Sequence, residues 1–308
     1  MKGRMREYVD YHINGDADCN TVLLRKWTDN NKLDLQQRFD LAYFFGITYC
    51  IPSGILMLKE KDEILKDVDK WVAENKKIII FQSDRKYVRM LDNFNNCIKF
   101  YKDNLKTVES FLNGITINNT ILIEKALEKV QKWFFFGRFA SYLFLETFIA
   151  LTDYEIENTT IDWKNGDTAT SGLMNLFGLD NSANYFDKHN KIPENLNYEK
   201  LNNMLYITLK EIAIKGGDNN VTGVETSLCA YRKFYKGSRY NGFYLDRQLE
   251  EILTTNRMDP KYKKIDEELL QLRKQLFKPK YLGELNNWNG IRKDAKKLYK
   301  EKGIMLWK

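Results

Sequence analysis

The scarcity of proline constrains this chain more than any other feature of its sequence. Only four of its 308 residues are proline, and long segments repeat apolar residues at the 3.6-residue spacing of a helix. Leu35 to Tyr49 is such a segment, and it ends near the turn signal Pro52-Ser53-Gly54. Because proline interrupts helices, its scarcity together with helical spacing predicts a mainly α-helical protein. We expect a single helical domain over residues 1–308, within which the basic C-terminal third, 225–308, could form a subdomain.

The same spacing predicts further helices along the chain. Ser83 or Asp84 can cap a helix whose core face is Tyr87, Leu91, Phe94, Ile98 and Tyr101. Residues 121–151 predict one long helix or two in line, with a break at Gly137. Later helices are expected over 201–214, 225–235, from Phe243 onward and over 261–277, with loops around a short helix between 153 and 195.

Positive charge is concentrated at the C-terminal end of the chain. The whole sequence has a net charge of +7, and residues 225–308 alone carry 20 Lys and Arg against 11 Asp and Glu. A basic third on a nearly neutral body indicates a polyanion as partner, although a solubilising lysine-rich surface gives the same totals.

The sequence indicates a protein of a reducing compartment, and we expect it to be cytoplasmic. Its four cysteines, at positions 19, 50, 97 and 229, are widely spaced, which fits neither a disulfide framework nor a zinc site. MKGRMREYVDYH lacks the apolar core of a signal peptide. Trp133 to Leu151 is apolar but contains Arg138 and Glu146, each of which costs roughly 2.5–3.5 kcal/mol near a bilayer centre. We therefore expect a buried core helix there and no membrane partner.

Several catalytic motifs are absent from the sequence. It has no GxxxxGK[ST] loop to hold nucleotide phosphates, so the chain is not expected to be a nucleotide kinase. GxGxxG, HExxH and GxSxG are absent as well. Three groups of residues are left as candidates for chemistry.

The first group lies in ETSLCAYRKFY. Glu225, Cys229, Arg232 and Lys233 are spaced so that they share one helix face, while Leu228, Tyr231 and Tyr235 occupy the other. A carboxylate and a thiol beside two cations are typical of an active-site edge, because neighbouring cations favour the thiolate. The alternative is that Cys229 is a core residue and Glu225 only pairs with a cation.

The second group is the loop KGSRYNG, with Arg239 and Tyr240, and Arg247 beyond it. The planar fork of arginine suits phosphate oxygens, and Tyr240, Phe243 or Tyr244 could stack on a base. A solvated loop with a tyrosine anchor is the alternative.

The third group joins Ser83-Asp84-Arg85 to Phe136-Gly137-Arg138 and Glu146. Arg138 and Glu146 interrupt an apolar helix, and buried charges are costly unless they are paired or functional. Either Arg138 forms a structural ion pair or it is aimed at a substrate phosphate.

These segments together resemble a known family. Trp27, LAYFFGITY, FQSDRKYV, WFFFGRFASYLFLE, NGDTATSGL and above all ETSLCAYRKF followed by RYNGFYLDR resemble the helical amino acid:DNA transferases of bacteriophages, also described as α-glutamyl/putrescinyl thymine pyrophosphorylases. The helical domain of phage 5-hydroxymethyluracil DNA kinases is similar, but those kinases carry a phosphate-binding loop that this chain lacks. The resemblance extends from about Trp27 to the C-terminal YLGELNNWNGIRKD.

The resemblance implies hypermodification of thymine in phage DNA. In that chemistry a kinase pyrophosphorylates 5-hydroxymethyluracil in DNA, and the transferase replaces the pyrophosphate with an amino acid or a polyamine. The implied partners are double-stranded DNA that carries the modified thymine and a small amine. No cofactor is firmly implied, although Mg²⁺ on the pyrophosphate is compatible with the reaction.

The residue roles follow from what this reaction demands. Glu225 is the preferred base for the amine, and Cys229 is either a nucleophile or a packing residue. Four cations, Arg138, Arg232, Lys233 and Arg239, are candidates to neutralise the pyrophosphate, and Arg85 and Arg247 are further candidates for phosphate binding. Tyr240 or Tyr244 would help to hold the base outside the stack. The alternatives are a non-enzymatic nucleic-acid-binding protein and a base-excising glycosylase.

Overall fold

A computed structural model of the protein describes residues 2–13, 15–82, 85–157, 161–163, 166–179, 198–235, 239 and 242–277, with the backbone alone at 2, 234 and 235. Over these residues the protein is mainly α-helical, as the sequence predicts. The predicted proline break at Pro279, the C-terminal YLGELNNWNGIRKD and Tyr240 lie outside the described residues.

The helices in the described part of the chain are numbered here in sequence order. They are α1 (Lys2–Ile13), α2 (Cys19–Asn30), α3 (Leu35–Thr48), α4 (Ile51–Lys59), α5 (Lys61–Lys66), α6 (Val68–Asn75), α7 (Leu91–Asn104), α8 (Val108–Leu112), α9 (Ile123–Val130), α10 (Arg138–Leu151), α11 (Asp167–Leu176), α12 (Tyr198–Ile214), α13 (Val221–Tyr235), α14 (Phe243–Met258) and α15 (Lys263–Leu276). A short 3₁₀ helix, Pro260–Tyr262, precedes α15.

The described residues also form a small sheet of three strands. β1 (Thr116–Ile117) pairs antiparallel with β2 (Thr120–Leu122), and Thr116 lies opposite Ile121. β2 pairs in parallel with β3 (Glu155–Glu157), and Ile121 lies opposite Ile156.

The chain divides into two compact units, each described here by itself. Unit 1 comprises residues 1–19, 158–247 and 278–308, and unit 2 comprises residues 20–157 and 248–277. Each unit has its own group of buried apolar side chains. Whether residues 225–308 form a separate subdomain stays a prediction.

The core of unit 2 is built on α3, which the sequence predicts almost to its last residue. Asp34 begins the helix with a reciprocal cap: its carboxylate accepts from the Gln37 N–H at 2.8 Å, and the Gln37 side chain accepts from the Asp34 N–H at 3.0 Å. The helix ends where Tyr49 adopts a left-handed conformation with φ of 54°. Phe39 lies at the centre of the unit, with the rings of Phe111 and Phe144 at 5.2 and 5.7 Å. Aromatic pairs at these separations stabilise beyond their buried area.

The segment after residue 78 differs from the prediction. α7 begins at Leu91, not at Ser83 or Asp84, which lie outside the described residues. Phe94, Ile98 and Tyr101 are buried as expected, whereas Tyr87 and Leu91 are 62% and 52% exposed. The helical spacing of the sequence therefore begins one turn before the helix itself. Val88 and Arg85 are buried, but they lie in the turn that precedes α7.

Two helices with a break lie within the predicted range 121–151, and Gly137 occupies the N-cap of the second, α10. Residues 121 and 122 were predicted to be helical but belong to strand β2. The chain between them turns at Phe135, whose φ is 61°. α10 is mostly buried, which confirms the expected core helix. In the part of the chain that the structure describes, every helix is too short or too polar to cross a membrane.

Candidate functional site in unit 1

Helix α13 carries the first group of candidate residues and has the two faces that the sequence predicts. Leu228 and Tyr231 are fully buried. The Tyr231 ring lies edge-on to Tyr8 of α1, with the ring centroids 5.2 Å apart. Glu225, Cys229, Arg232 and Lys233 share the other face, because they are separated by whole turns of the same helix.

A glycine brings helix α11 close to α13. A Cβ atom on Gly172 would lie 2.3 Å from the Leu228 carbonyl oxygen, so only glycine fits at this crossing. The neighbouring Ser171 is fully buried and accepts a hydrogen bond from Arg232 Nε at 2.9 Å. Helix α11 therefore holds the guanidinium of a candidate phosphate-binding residue in a fixed position.

One turn after Ser171, the side chain of Asn175 is completely buried. Neither its Oδ1 nor its Nδ2 atom has a hydrogen-bond partner within the part of the chain described. Its backbone carbonyl accepts from Arg4 Nη1 of α1 at 3.0 Å. A buried amide without partners is costly, typically about 1–3 kcal/mol.

Helix α1 is attached to α13 through His12. His12 Nε2 donates to the Asp218 carbonyl at 2.7 Å, because a carbonyl oxygen can only accept. Burial lowers the pKa of His12 below its ordinary value, and hydrogen bonding to Asp218 opposes this effect. The neutral ring thus accepts through Nδ1 from the Ser227 hydroxyl, 2.8 Å away.

The Asp16 carboxylate caps helix α14 across the unit. Its Oδ1 accepts from the backbone N–H groups of Tyr244 and Leu245, both at 3.1 Å. Its Oδ2 accepts from the Gly242 N–H at 3.1 Å and from the Tyr11 hydroxyl at 3.2 Å. Burial raises the pKa of Asp16 to about 6, against the lowering effect of these donors. Asp16 therefore fixes the start of the helix that carries Tyr244 and Arg247.

The Arg239 guanidinium lies against two aromatic rings at the start of α14. Its central carbon is 4.4 Å from the centroid of the Phe243 ring and 4.8 Å from that of Tyr244. Its Nη1 also donates to the Tyr244 hydroxyl. The Arg239 backbone N–H donates to the Lys233 carbonyl at 3.1 Å, which ties this residue to the end of α13.

Three candidate residues, Cys229, Arg239 and Arg247, influence the Tyr244 hydroxyl electrostatically. Burial is the main cause of its strongly raised pKa, and Asp16 and Cys229 raise the pKa further. Arg239 and Arg247 act in the opposite direction and lower the pKa of the same hydroxyl. Arg239 thus contacts Tyr244 directly, and Cys229 and Arg247 act on the pKa of its hydroxyl.

The two proposed reacting groups differ in exposure. Glu225 is 6% exposed. Cys229 is half-buried, whereas Cys19, Cys50 and Cys97 are buried. Burial raises the pKa of the Cys97 thiol to about 12, so that cysteine is not expected to react. Cys229 is therefore the most accessible thiol of the four.

The remaining candidates are placed elsewhere. Arg85 and Arg138 belong to unit 2. Arg85 is 6% exposed and its guanidinium lies 5.7 Å from the centroid of the Phe136 ring, so the predicted grouping of these two segments is present. Arg138 is the first residue of α10 and is half-buried. Whether Arg138 forms a structural ion pair or is aimed at a substrate phosphate stays a prediction.

A second acid, Asp18, lies beside the start of α13. The residue is half-buried, but its carboxylate oxygen Oδ1 is inaccessible to solvent. Its Oδ2 lies 3.7 Å from where a Cβ atom on Gly223 would be. Burial raises the pKa of Asp18 to about 7, and Asp218 and Asp16 raise it further.

The sequence reasoning missed Ser171, Asn175, Asp16 and Asp18. NGDTATSGL marks Ser171 only through its glycine, and no local signal links Asp16 to a helix more than 220 residues later. Across the residues that the structure describes, no group of three or more His, Cys, Asp or Glu side chains is arranged to hold a metal ion.

Comparison with known proteins gives one match. The family model described as amino acid:DNA transferase matches residues 24–240, more than two-thirds of the chain. The matched range includes α11 and α13 and ends before Tyr244 and Arg247. No curated protein and no solved structure matches this sequence.

Proposed function

This chain belongs to the amino acid:DNA transferase family and is therefore a transferase that acts on DNA, and from this premise we propose which base it modifies and by what route. The proposed acceptor is 5-hydroxymethyluracil in DNA that already carries a pyrophosphate. The enzyme replaces that pyrophosphate with the amine of an amino acid or a polyamine. The observation that supports this proposal is that two guanidinium groups are held beside the helix that carries Glu225 and Cys229. Ser171 fixes Arg232, and the Arg239 backbone is bonded to the Lys233 carbonyl at the end of that helix.

The leaving group sets the first requirement of the reaction. A departing pyrophosphate carries several negative charges, and fixed cations stabilise such charge as it develops. Arg239 is held by two aromatic rings and Arg232 by Ser171. We assign the pyrophosphate to these two guanidinium groups together with Lys233 and Arg247. Any Mg²⁺ would enter bound to the pyrophosphate as part of the substrate.

The proposed covalent step uses the Cys229 thiolate. Its sulfur adds to C6 of the uracil ring, and the displaced electron pair moves toward C5 and O4 as an enolate. The enolate expels pyrophosphate from the 5-methylene carbon and leaves an exocyclic C=C bond. The covalent route thereby divides one difficult displacement into two easier steps.

The second half of the proposed reaction restores the ring. The amine attacks the exocyclic methylene, and Glu225 accepts the proton that the resulting ammonium loses. The regenerated enolate then expels the sulfur from C6 and re-forms the C5=C6 bond. No oxidant or reductant is required. Glu225 lies one helical turn from Cys229, so the base and the thiol reach the same side of the substrate.

Arg138 is a proposed phosphate ligand of unit 2, and phosphate binding by Arg85 stays a prediction. Arg138 has the exposure that a substrate phosphate would require. For Arg85, burial against Phe136 supports a role in holding the segment before Arg138.

The experiment that tests the proposed function is nucleoside mass spectrometry. DNA that contains pyrophosphorylated 5-hydroxymethyluracil is incubated with the protein and a panel of amino acids and polyamines, and then digested. A transferase of the proposed kind yields a thymine nucleoside heavier by the amine, with release of pyrophosphate. An abasic site would identify a glycosylase, and unchanged nucleosides with tight binding would identify a binding protein.

A further inference from the structure

A surface of unit 2, distant in sequence from the candidate residues of α13, combines positive charge with exposed apolar side chains. A cavity of about 450 Å³ is lined there by Lys76, Ile79, Phe81, Arg89 and Met90. We refer to these five residues, together with Lys86 and Tyr87, as the 76–90 face. The sequence between these positions contains five Lys and Arg and one acid, Asp84, which lies outside the described residues.

The cations of this face are available to a ligand. Within the described residues, neither the Lys76 nor the Arg89 side chain has an ion-pair or hydrogen-bond partner, and Arg89 is exposed. Lys86 is exposed and lies over the Tyr87 ring at 4.8 Å from its centroid. Asp92, in the first turn of α7, is the nearest described acid that follows in the sequence.

The apolar side chains of the face distinguish it from a solubilising lysine-rich surface. Tyr87 is 62% exposed and Met90 58% exposed. Surface patches of large apolar side chains that are flanked by charge typically mark binding sites. A lysine-rich surface that only keeps the protein soluble has no need of them.

Contacts with neighbouring residues of unit 2 hold parts of this surface in place. The Phe81 ring packs edge-on against Phe94 of α7, with centroids 4.9 Å apart. Asn93 Nδ2 donates to the Tyr87 carbonyl at 2.8 Å, and the Ile80 N–H donates to Ser53 Oγ at 2.9 Å. Phe81, the Tyr87 carbonyl and the Ile80 backbone are therefore each fixed by a contact outside the face.

We propose that the 76–90 face binds the substrate DNA through its phosphate backbone, with Lys76 and Arg89 as phosphate ligands and Met90 and Tyr87 against the sugars and base edges. This inference rests on the proposed function in so far as DNA is the substrate. Lysine and arginine supply the affinity for phosphates, and methionine and aromatic side chains commonly contact base steps at protein–DNA interfaces.

The test compares two double variants on an unmodified duplex of mixed sequence. Lys76→Gln with Arg89→Gln removes two proposed phosphate contacts. Lys106→Gln with Lys125→Gln removes the same charge from exposed positions of the same unit. The affinity is measured over a range of salt concentrations. The first variant should lower the slope of log affinity against log salt by about 1.8, since each phosphate contact contributes about 0.9. The second should change the slope little.

Met90→Ser separates the apolar contribution, because it should weaken binding several-fold while the salt slope stays the same. Equal slopes for the two double variants would overturn the proposal, since the effect would then be one of total charge. The proposed function is tested separately by product formation with the wild-type protein. If wild-type protein makes product and the 76–90 variants bind normally, only this inference fails; if the slope falls but no product forms, only the proposed function fails.

Discussion

The carboxylate of Asp16 and the backbone N–H of Tyr244 form a 3.1 Å hydrogen bond that joins the beginning of the chain to the helix bearing the candidate site. Three further donors bind the same carboxylate: two more N–H groups of the chain around Tyr244 and the Tyr11 hydroxyl. Asp16 thus fixes the backbone of Tyr244, and Arg239 lies against the Tyr244 ring. The position of Arg239 therefore depends on Asp16, a buried acid that would not bind the substrate phosphate.

Replacing Asp16 should therefore affect both stability and turnover. Asp16→Ala leaves a helix N-terminus uncapped and buried donors without an acceptor, which should lower the free energy of unfolding by roughly 2–4 kcal/mol. The matched control is Asp34→Ala, which removes the cap of α3 in unit 2 and should cost about 1 kcal/mol. Turnover, assayed well below the melting temperature of both variants, should fall for Asp16→Ala and not for Asp34→Ala. Equal turnover in the two would show that the cap is only structural.

Asp18 should make the protein less stable as the pH rises. Burial raises the pKa of its carboxyl from 3.8 to about 7, so the folded state holds this proton more tightly than the unfolded state does. The resulting stabilisation is complete below pH 4 and is lost as the pH rises through 7. Chemical denaturation of Asp18→Asn should show a shallower decline between pH 5 and pH 8, by on the order of 1 kcal/mol.

A residual decline is expected in that variant, because burial also raises the pKa of Asp266 to about 7 and that of Asp16 to about 6. An unchanged pH dependence in Asp18→Asn would mean that Asp18 is ionised in the folded protein at neutral pH.

Gly172 should tolerate no side chain. A Cβ atom there would lie 2.3 Å from the Leu228 carbonyl oxygen, so α11 and α13 would have to move apart. Gly172→Ala should lower the free energy of unfolding by about 1–3 kcal/mol. It should also weaken the hydrogen bond that Arg232 donates to Ser171. Gly3→Ala in α1 is the control, because the added Cβ meets nothing within 4 Å. Thermal melting distinguishes the two variants, and comparable melting temperatures would refute the close approach of the helices.

Variants of Cys229 distinguish the covalent route of the reaction from the non-covalent route. If its thiolate adds to the ring, Cys229→Ala and Cys229→Ser should lose turnover by on the order of 10³-fold or more, as the removal of a nucleophile does. Stalled wild-type reactions without amine should also contain a protein–DNA adduct. Cys97→Ala in unit 2 is the control. Near-normal pyrophosphate release by Cys229→Ala would eliminate the covalent route and leave the transferase assignment in place.

Local sequence patterns predicted those helices whose bounds and buried side chains are set by interactions within the helix itself. α3 has a reciprocal cap and a continuous apolar face, and its predicted bounds agree with the structure to within one residue. In α13 the spacing of Leu228 and Tyr231 predicted which face is buried. Both results depend on interactions within a few turns of one helix.

The patterns failed where distant residues decide the structure. The segment before α7 has helical spacing, yet Arg85 is buried under Phe136, some fifty residues later, and the helix starts only at Leu91. The cap that Asp16 provides to α14 and the contact of Arg232 with Ser171 likewise join residues that are far apart in sequence. The residues of the site could thus be proposed from one short stretch, but the groups that position them could not.

The most direct test of the account is the nucleoside mass spectrum of pyrophosphorylated 5-hydroxymethyluracil DNA treated with wild-type protein and with Glu225→Gln. We predict that the wild type converts the base to its amine adduct and releases pyrophosphate, whereas Glu225→Gln binds the DNA with the same affinity and forms little or no adduct. Unchanged thymine nucleosides with the wild type across the whole panel of amino acids and polyamines would contradict the proposed reaction.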